Sequence, residues 1–197
     1  MLLFLVRHGQ SSANLNGVYS GQTDVPLTEL GRQQAMAIRP ILEKIPFDRV
    51  YSSDLCRAQQ TAREIFPHLD PICTRQLREI CVGTISGMSL AECISRYGQQ
   101  YLDCERQQDF APFGGETQRE MQTRIREFIQ QLEQESGAEH IAVVGHEGTV
   151  HQFLCHALGH PIPLEHFHIE NASVTLLEYG GGNWRLLSFG QGGLSRV

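Results

Sequence analysis

Leu2-Leu3-Phe4-Leu5-Val6-Arg7-His8-Gly9 is an apolar run that stops abruptly at two basic side chains and a glycine. The run lacks the alternation of a half-exposed strand, which suits a strand covered on both faces. Its first charged residues then sit at the strand's carboxyl end. The arrangement returns at Ile141-Ala142-Val143-Val144, which runs into Gly145-His146-Glu147-Gly148. In open α/β sheets ligands collect in the crevice beyond the strands' carboxyl ends. The expectation is that His8 and His146 meet there.

Working outward, Thr28 offers an N-cap to a helix with Ala35, Ile38, Ile41, Leu42 and Ile45 at helical spacing. Arg49 to Tyr51 reads as a short strand. Asp54 reads as the cap of a helix carrying Leu55, Ala58, Ala62 and Ile65 on one side, with Arg57 in its first turn. Proline, glycine and mixed polarity from Pro67 to Gly115 predict a less regular excursion, able to form a lid, with a helix near Leu90 to Leu102. Thr117-x-x-Glu120 has the form of a capping box, and Met121, Ile125, Phe128, Ile129 and Leu132 follow at helical spacing up to Ser136-Gly137. A further helix is predicted from about Thr149 to Leu158. Val174 to Leu177 and Trp184 to Leu187, separated by Gly180-Gly181-Gly182-Asn183, read as a closing hairpin or a strand pair at the sheet edge. Strands alternating with helices, without linker or repeat, predict an α/β sandwich in a single domain over residues 1–197.

A length of 197 residues is enough to bury one real core. The net charge of -6 offers no general attraction to nucleic acid or to an anionic membrane, so neither is expected as a partner. Any anion site must be built locally from a few cations. Met1 to Val6 is too short for a signal peptide and no stretch has the length of a membrane span, so a cytoplasmic location is expected. Cys56, Cys73, Cys81, Cys93, Cys104 and Cys155 are scattered, with no C-x-x-C pair, and read as reduced structural thiols.

Leu5-Val6-Arg7-His8-Gly9-Gln10-Ser11 with Asn14 resembles the signature of the histidine phosphatase (phosphoglycerate mutase-like) superfamily. Five further stretches resemble that family's later blocks in order. They are Gly21 to Thr28 with Gly31; Ser52-Ser53-Asp54-Leu55 with Arg57-Ala58 and Thr61-Ala62; Leu77-Arg78-Glu79 with Gly83 and Gly87; and Gly114-Gly115-Glu116-Thr117, followed by Val144 to Gly148. A three-residue string alone would carry little weight, whereas ordered blocks over nearly the whole chain do. The resemblance implies a three-layer α/β/α sandwich with a mostly parallel central sheet. It also implies a phosphohistidine enzyme that needs no metal or other cofactor and acts on a small phosphorylated metabolite. The short chain and the Gly-Gly-Glu-Thr block are more similar to the small-phosphatase branch than to the mutases. A phosphoglycerate mutase-type phosphotransferase, or a phosphate-binding module without turnover, is the alternative.

The chemistry explains the residue types. A phosphate monoester needs an in-line nucleophile, cations on its equatorial oxygens and an acid for the leaving oxygen. By resemblance His8 attacks, while Arg7, Arg57 and a protonated His146 surround the phosphoryl group; arginine suits this because its planar fork binds two oxygens. Asn14, Ser20 and Gly21 are implied substrate contacts. The resemblance assigns the acid to Glu79, with partial burial and a raised pKa expected of it. Glu147 is the rival acid and also a candidate substrate contact, because a longer-chain branch places its proton donor just after the second histidine. Two departures bear on the leaving group. Val82 to Gly87 stands where many small phosphatases carry an acidic or aromatic run, and Gly-His-Glu-Gly replaces the commoner Ser-His-Gly-Gly. α-Ribazole phosphate and sugar or glycerate phosphates are the candidate substrates.

Each residue also has a plainer reading. His8 alone could be a satisfied strand-end histidine, and Arg57 a solvated charge at a helix N-terminus, where the macrodipole disfavours it unless an anion binds. Asn14 and Ser20-Gly21 could be turn residues, and Glu116 and Thr117 a helix start. His146, His151, His156, His160, His166 and His168 suggest zinc, but His146 and His151 are five apart and project about 140° apart on a helix, so no metal site is expected. The sequence leaves room for a homodimer.

Overall fold

The computed structural model describes residues 1–135, 137–166 and 168–192. The sheet joins β1 (Leu2–Arg7), β2 (Arg49–Ser53), β3 (Ile72–Thr74), β4 (His140–Gly145), β5 (Val174–Gly180) and β6 (Asn183–Gln191) in the order β3-β2-β4-β1-β5-β6. β3, β2, β4 and β1 run parallel, while β5 and β6 close one edge antiparallel. The helices are α1 (Ser12–Asn16), α2 (Glu29–Leu42), α3 (Cys56–Ile65), α4 (Leu90–Tyr97), α5 (Gln99–Gln107), α6 (Gln118–Gln134) and α7 (Glu147–Leu158). None among the described residues is long and apolar enough to cross a membrane.

Alternation along the central strands divides the core between the two faces. Leu3, Leu5, Ile141 and Val143 pack with Ile125, Phe128, Val150 and Phe153 of α6 and α7. Phe4, Val6, Ala142 and Val144 pack with Ala35, Ile38, Leu42, Ala58, Ala62 and Ile65 of α2 and α3. This is the expected α/β/α sandwich with a mostly parallel sheet. All these residues are buried, and truncating one of the large ones to alanine costs about 2–5 kcal/mol.

The local signals are mostly those expected. Thr28 caps α2, its hydroxyl accepting from Gly31 N, and Thr117 and Glu120 complete the capping box of α6. Four expectations need correction. α3 begins after Leu55, whose side chain gives no cap, and Asp24 Oδ1 takes the Cys56 N–H at 2.6 Å; the Asp54 carboxylate instead accepts from Arg78 Nε and a terminal nitrogen at 2.7 Å each, a stronger charge-assisted pair. α2 ends at Leu42, so Ile45 lies beyond it, and Ile41 faces outward. The single helix expected near Leu90 to Leu102 is two, broken at Gly98, whose φ of 54° and ψ of -127° suit glycine. α7 starts at Glu147, two residues before the predicted start, because His146 already has extended N-cap geometry.

Register sets the site. Arg7 of β1 lies opposite Gly145 of β4, and Ser52 of β2 opposite Val144. The carboxyl ends of three parallel strands therefore align, and the next residues, His8 and His146, emerge side by side. The loop after β1 is pinned where glycines let backbones touch. A Cβ on Gly9 would overlap the Gly31 carbonyl, and one on Gly31 would overlap Gln10. Gly9 N also donates to Thr61 Oγ1 of α3 at 3.1 Å.

Candidate active site

A cleft of about 1140 Å³ opens at these strand ends, with Arg7, His8, Asn14, Ser20, Gly21, Arg57, Glu79 and Glu147 among its lining residues. His146 does not line it; the side chain is fully buried behind His8, with ring centroids 5.1 Å apart. The excursion forms one wall through Ile80, Val82, Leu90, Leu102, Glu105 and Phe110.

His8 is held in one tautomer. Its Nδ1 lies 2.7 Å from the Gly9 carbonyl, which can only accept, so Nδ1 carries the hydrogen and Nε2 keeps its lone pair. Burial, then the charges of Arg57 and Arg7, push its pKa well below the usual imidazole value. It is therefore a neutral ring with a free nitrogen among cations. His146 is likewise pushed well below the ordinary value by burial and by Arg57 and His8. The fold alone therefore favours the neutral form of His146, and the protonated form implied by the resemblance requires an added anion. Its Nε2 lies 2.9 Å from Ser53 Oγ.

The two arginines are fixed by backbone carbonyls. Arg57, 1% exposed, donates to Gly21 O at 2.7 Å and Thr23 O at 3.0 Å. Arg7 donates to Ile169 O and pairs with Glu147 at 3.0 Å. Gly21 thus acts through its carbonyl on Arg57. Arg7 Nε, Arg57 Nε and His146 Nδ1 are buried with no hydrogen-bond partner within the protein; Ser173 Oγ is the other such atom among the described residues. Buried polar atoms are nearly always satisfied, and leaving one unpaired costs about 1–3 kcal/mol, more near charge. Three orphaned nitrogens on side chains grouped with His8 form a ready seat for an anion with several oxygens.

The two carboxyl groups differ. Glu79 is partly buried and doubly anchored, accepting from Ile80 N at 2.9 Å and Gly148 N at 3.1 Å. Glu147 is raised from the ordinary carboxyl value by burial, partly offset by Arg7. Asn14 Oδ1 is occupied in a capping box with Ser11 N and Oγ at 3.0 and 2.9 Å, and also receives Asn171 Nδ2 at 3.5 Å. The Ser20 carbonyl accepts from Thr23 N and Ser86 Oγ, so this residue also shapes the loop. Among the described residues no group of three or more His, Cys, Asp or Glu side chains could hold a metal ion.

Sequence reasoning missed the brace behind Glu79. Arg124 of α6 donates to the carbonyls of Gln76, Arg78 and Glu79 and forms a two-pronged pair with Glu116 at 2.9 and 3.0 Å. Glu116 also accepts from Cys81 N and Gln22 Nε2, and Gln22 Nε2 reaches Glu79 O. Arg124 falls on an amphipathic helix, where a lone charge reads as solvated, so no local signal marked it. Ser53 and Thr61 stood in recognised blocks without an evident role; they hold His146 and Gly9.

The family model described as "Histidine phosphatase superfamily (branch 1)" matches residues 3–192. Over 186 residues the chain is 33% identical to the adenosylcobalamin/alpha-ribazole phosphatase of Salmonella typhimurium, covering 90% of each chain. It is also 33% identical, over 187 residues, to 2,3-bisphosphoglycerate-dependent phosphoglycerate mutase 2 of Gloeobacter violaceus, covering 90% of this chain and 82% of the relative. The crystal structure of the alpha-ribazole phosphatase from Shigella flexneri superposes with a TM-score of 0.89 at 27% identity, covering all of both chains.

Proposed function

Since the chain belongs to branch 1 of the histidine phosphatase superfamily, we propose that it is a metal-independent phosphatase that hydrolyses small phosphomonoesters through a phosphohistidine on His8. The observation that carries this reading is the unprotonated Nε2 of His8 beside three buried donors without partners, on Arg7, Arg57 and His146.

In the first step His8 Nε2 attacks phosphorus and the bond to the leaving oxygen breaks. The arginine forks take the equatorial oxygens, whose charge rises and redistributes. In the neutral ring Ser53 Oγ donates to His146 Nε2, which leaves the hydrogen on Nδ1; where the incoming dianion offsets the burial and the ring takes a second proton, Nε2 donates to Ser53 Oγ and Nδ1 still carries a hydrogen for the phosphoryl group. The carboxyl of Glu79 gives its proton to the leaving alkoxide. In the second step the resulting carboxylate takes a proton from water, the water oxygen attacks phosphorus, and the bond to His8 breaks to release phosphate. Glu79 is preferred to Glu147 because two backbone N–H groups and the Arg124 brace fix its position, whereas Glu147 is committed to Arg7.

Hydrolysis is preferred to mutase chemistry because a cleft of about 1140 Å³ admits both a bulky leaving group and water. Relatives of both kinds match the chain, so the deciding experiment is direct. Purified protein is offered α-ribazole 5′-phosphate, sugar phosphates and 3-phosphoglycerate, with and without a chelator. Release of inorganic phosphate that is insensitive to the chelator and blocked by vanadate supports the reading. Interconversion of phosphoglycerates without net release would replace it with the mutase reading. Binding without either reaction would make the protein a phosphate-binding module.

A further inference from the structure

Beyond the phosphoryl seat, the cleft wall is acidic. Glu79, Glu105 and Glu147 line it, against the arginines Arg7, Arg57 and Arg106. Arg7 and Arg57 serve the seat itself, and Arg106 is 69% exposed and paired with Asp103. A leaving group that leads away from His8 therefore meets the carboxylates of Glu147, which is paired with Arg7, and Glu105, which accepts from a hydroxyl. Glu147 adjoins the seat, its Oε2 3.0 Å from the Arg7 guanidinium. Glu105 lies on the wall formed by the excursion; it accepts from the Tyr101 hydroxyl at 3.1 Å, and Tyr101 is bonded in turn to Tyr19.

Resting on the phosphatase reading, we propose that Glu147, with Glu105 behind it, selects phosphomonoesters whose leaving group is an uncharged or cationic alcohol and rejects phosphorylated hydroxy acids and bisphosphates. A negative charge placed about 7 Å from a carboxylate would cost about fiftyfold in affinity at an effective dielectric of about 20, and the pairing of Glu147 with Arg7 reduces this toward about tenfold. A hydroxyl in the same place donates a hydrogen bond to the carboxylate instead. Glu147 also lies in the first turn of α7, where the helix dipole favours an acidic residue whatever its role. That plain function moves stability and leaves substrate preference alone, so the two can be separated.

Glycerol 3-phosphate and 3-phosphoglycerate share a skeleton and differ in a hydroxymethyl against a carboxylate. Their inhibition constants are measured against p-nitrophenyl phosphate hydrolysis at about pH 8, where carboxyl groups are ionised. The wild-type protein should bind glycerol 3-phosphate at least about tenfold more tightly, and Glu147→Gln should shrink that preference by about tenfold. Glu105→Gln should shrink it less, and serves if the first variant does not fold. Equal or reversed preference in the wild type overturns the proposal. So does an unchanged ratio in Glu147→Gln, which would leave it only the helix role. Absence of any turnover of p-nitrophenyl phosphate would instead overturn the phosphatase reading and this selection with it.

Discussion

Gly148→Ala tests whether Glu79 is the proton donor without touching Glu79 itself. Gly148 lies in the first turn of α7, donates its N–H to Glu79 Oε2 at 3.1 Å and has no positive φ, so alanine suits its backbone. Helix propensity alone would favour the change by about 1 kcal/mol. The added Cβ, however, would overlap Glu79 Oε1 and lie 2.9 Å from Met121 Cε, inside the 3.4–4 Å of ordinary contact. The carboxylate is the softer neighbour and must retreat by about 1 Å, a displacement worth about 10²-fold in rate when it affects a catalytic group. Overpacking costs about 1–3 kcal/mol, so with the propensity gain the fold should survive with a net loss of about 0–2 kcal/mol. The assay compares kcat/KM, which reports transfer to His8 and not the later hydrolysis in which Glu79 acts as base, for an alkyl phosphate, whose alkoxide needs a proton, and for p-nitrophenyl phosphate, whose leaving group does not. The alkyl ester should lose about 10²-fold and the aryl ester less than about fivefold. Glu79→Gln should show the same contrast, and the double variant should be little worse than either single one. Equal losses on both esters, or none, would refute the assignment of Glu79.

Other expectations follow from the same geometry. His8, His146 and His151 are all held below the ordinary imidazole pKa of 6.5, so below that pH the unfolded chain binds protons that the fold does not. Stability should be full above 6.5 and decline as pH falls toward the folded values, by up to about 1.4 kcal/mol per pH unit for each histidine. Thermal melts from pH 7 to 5 check this; inorganic phosphate should offset part of the loss, and a flat profile would contradict it. Arg124→Ala should destabilise by about 3 kcal/mol, because it strips Glu116 and three carbonyls of their donor, and should lower kcat/KM on alkyl esters more than on aryl ones. Denaturant titration and steady-state kinetics report the two effects. Ser53→Ala should leave stability within about 1–2 kcal/mol and reduce vanadate affinity, since His146 loses the partner that fixes its hydrogen; unchanged vanadate inhibition would contradict that role for Ser53.

How far the sequence could be read depends on the kind of interaction. β1 and β4 were legible because each is an unbroken apolar run, and parallel pairing then brings Arg7-His8 beside Gly145-His146. β3 was not, because three residues at a sheet edge, largely exposed, carry neither alternation nor a run. The break between α4 and α5 turns on the backbone of a single glycine, Gly98, which pattern reading passes over. Asp54 was misread as a cap because its real partner, Arg78, is 24 residues away and is reached only through the fold. The same holds for Arg124: its side chain matters through carbonyls near Glu79, and no spacing along the chain announces them. The candidate site residues could be picked out along the chain, whereas the groups that hold them are set by tertiary contacts.

The account rests on His8, so the most direct measurement is a rapid denaturing quench during turnover of a labelled phosphomonoester, followed by mass-spectrometric location of the phosphoryl group. It should be found on His8, acid-labile and stable to alkali, and should be absent from His8→Ala, which should keep its fold and lose turnover. Phosphate on another residue, or full activity in His8→Ala, would contradict the account.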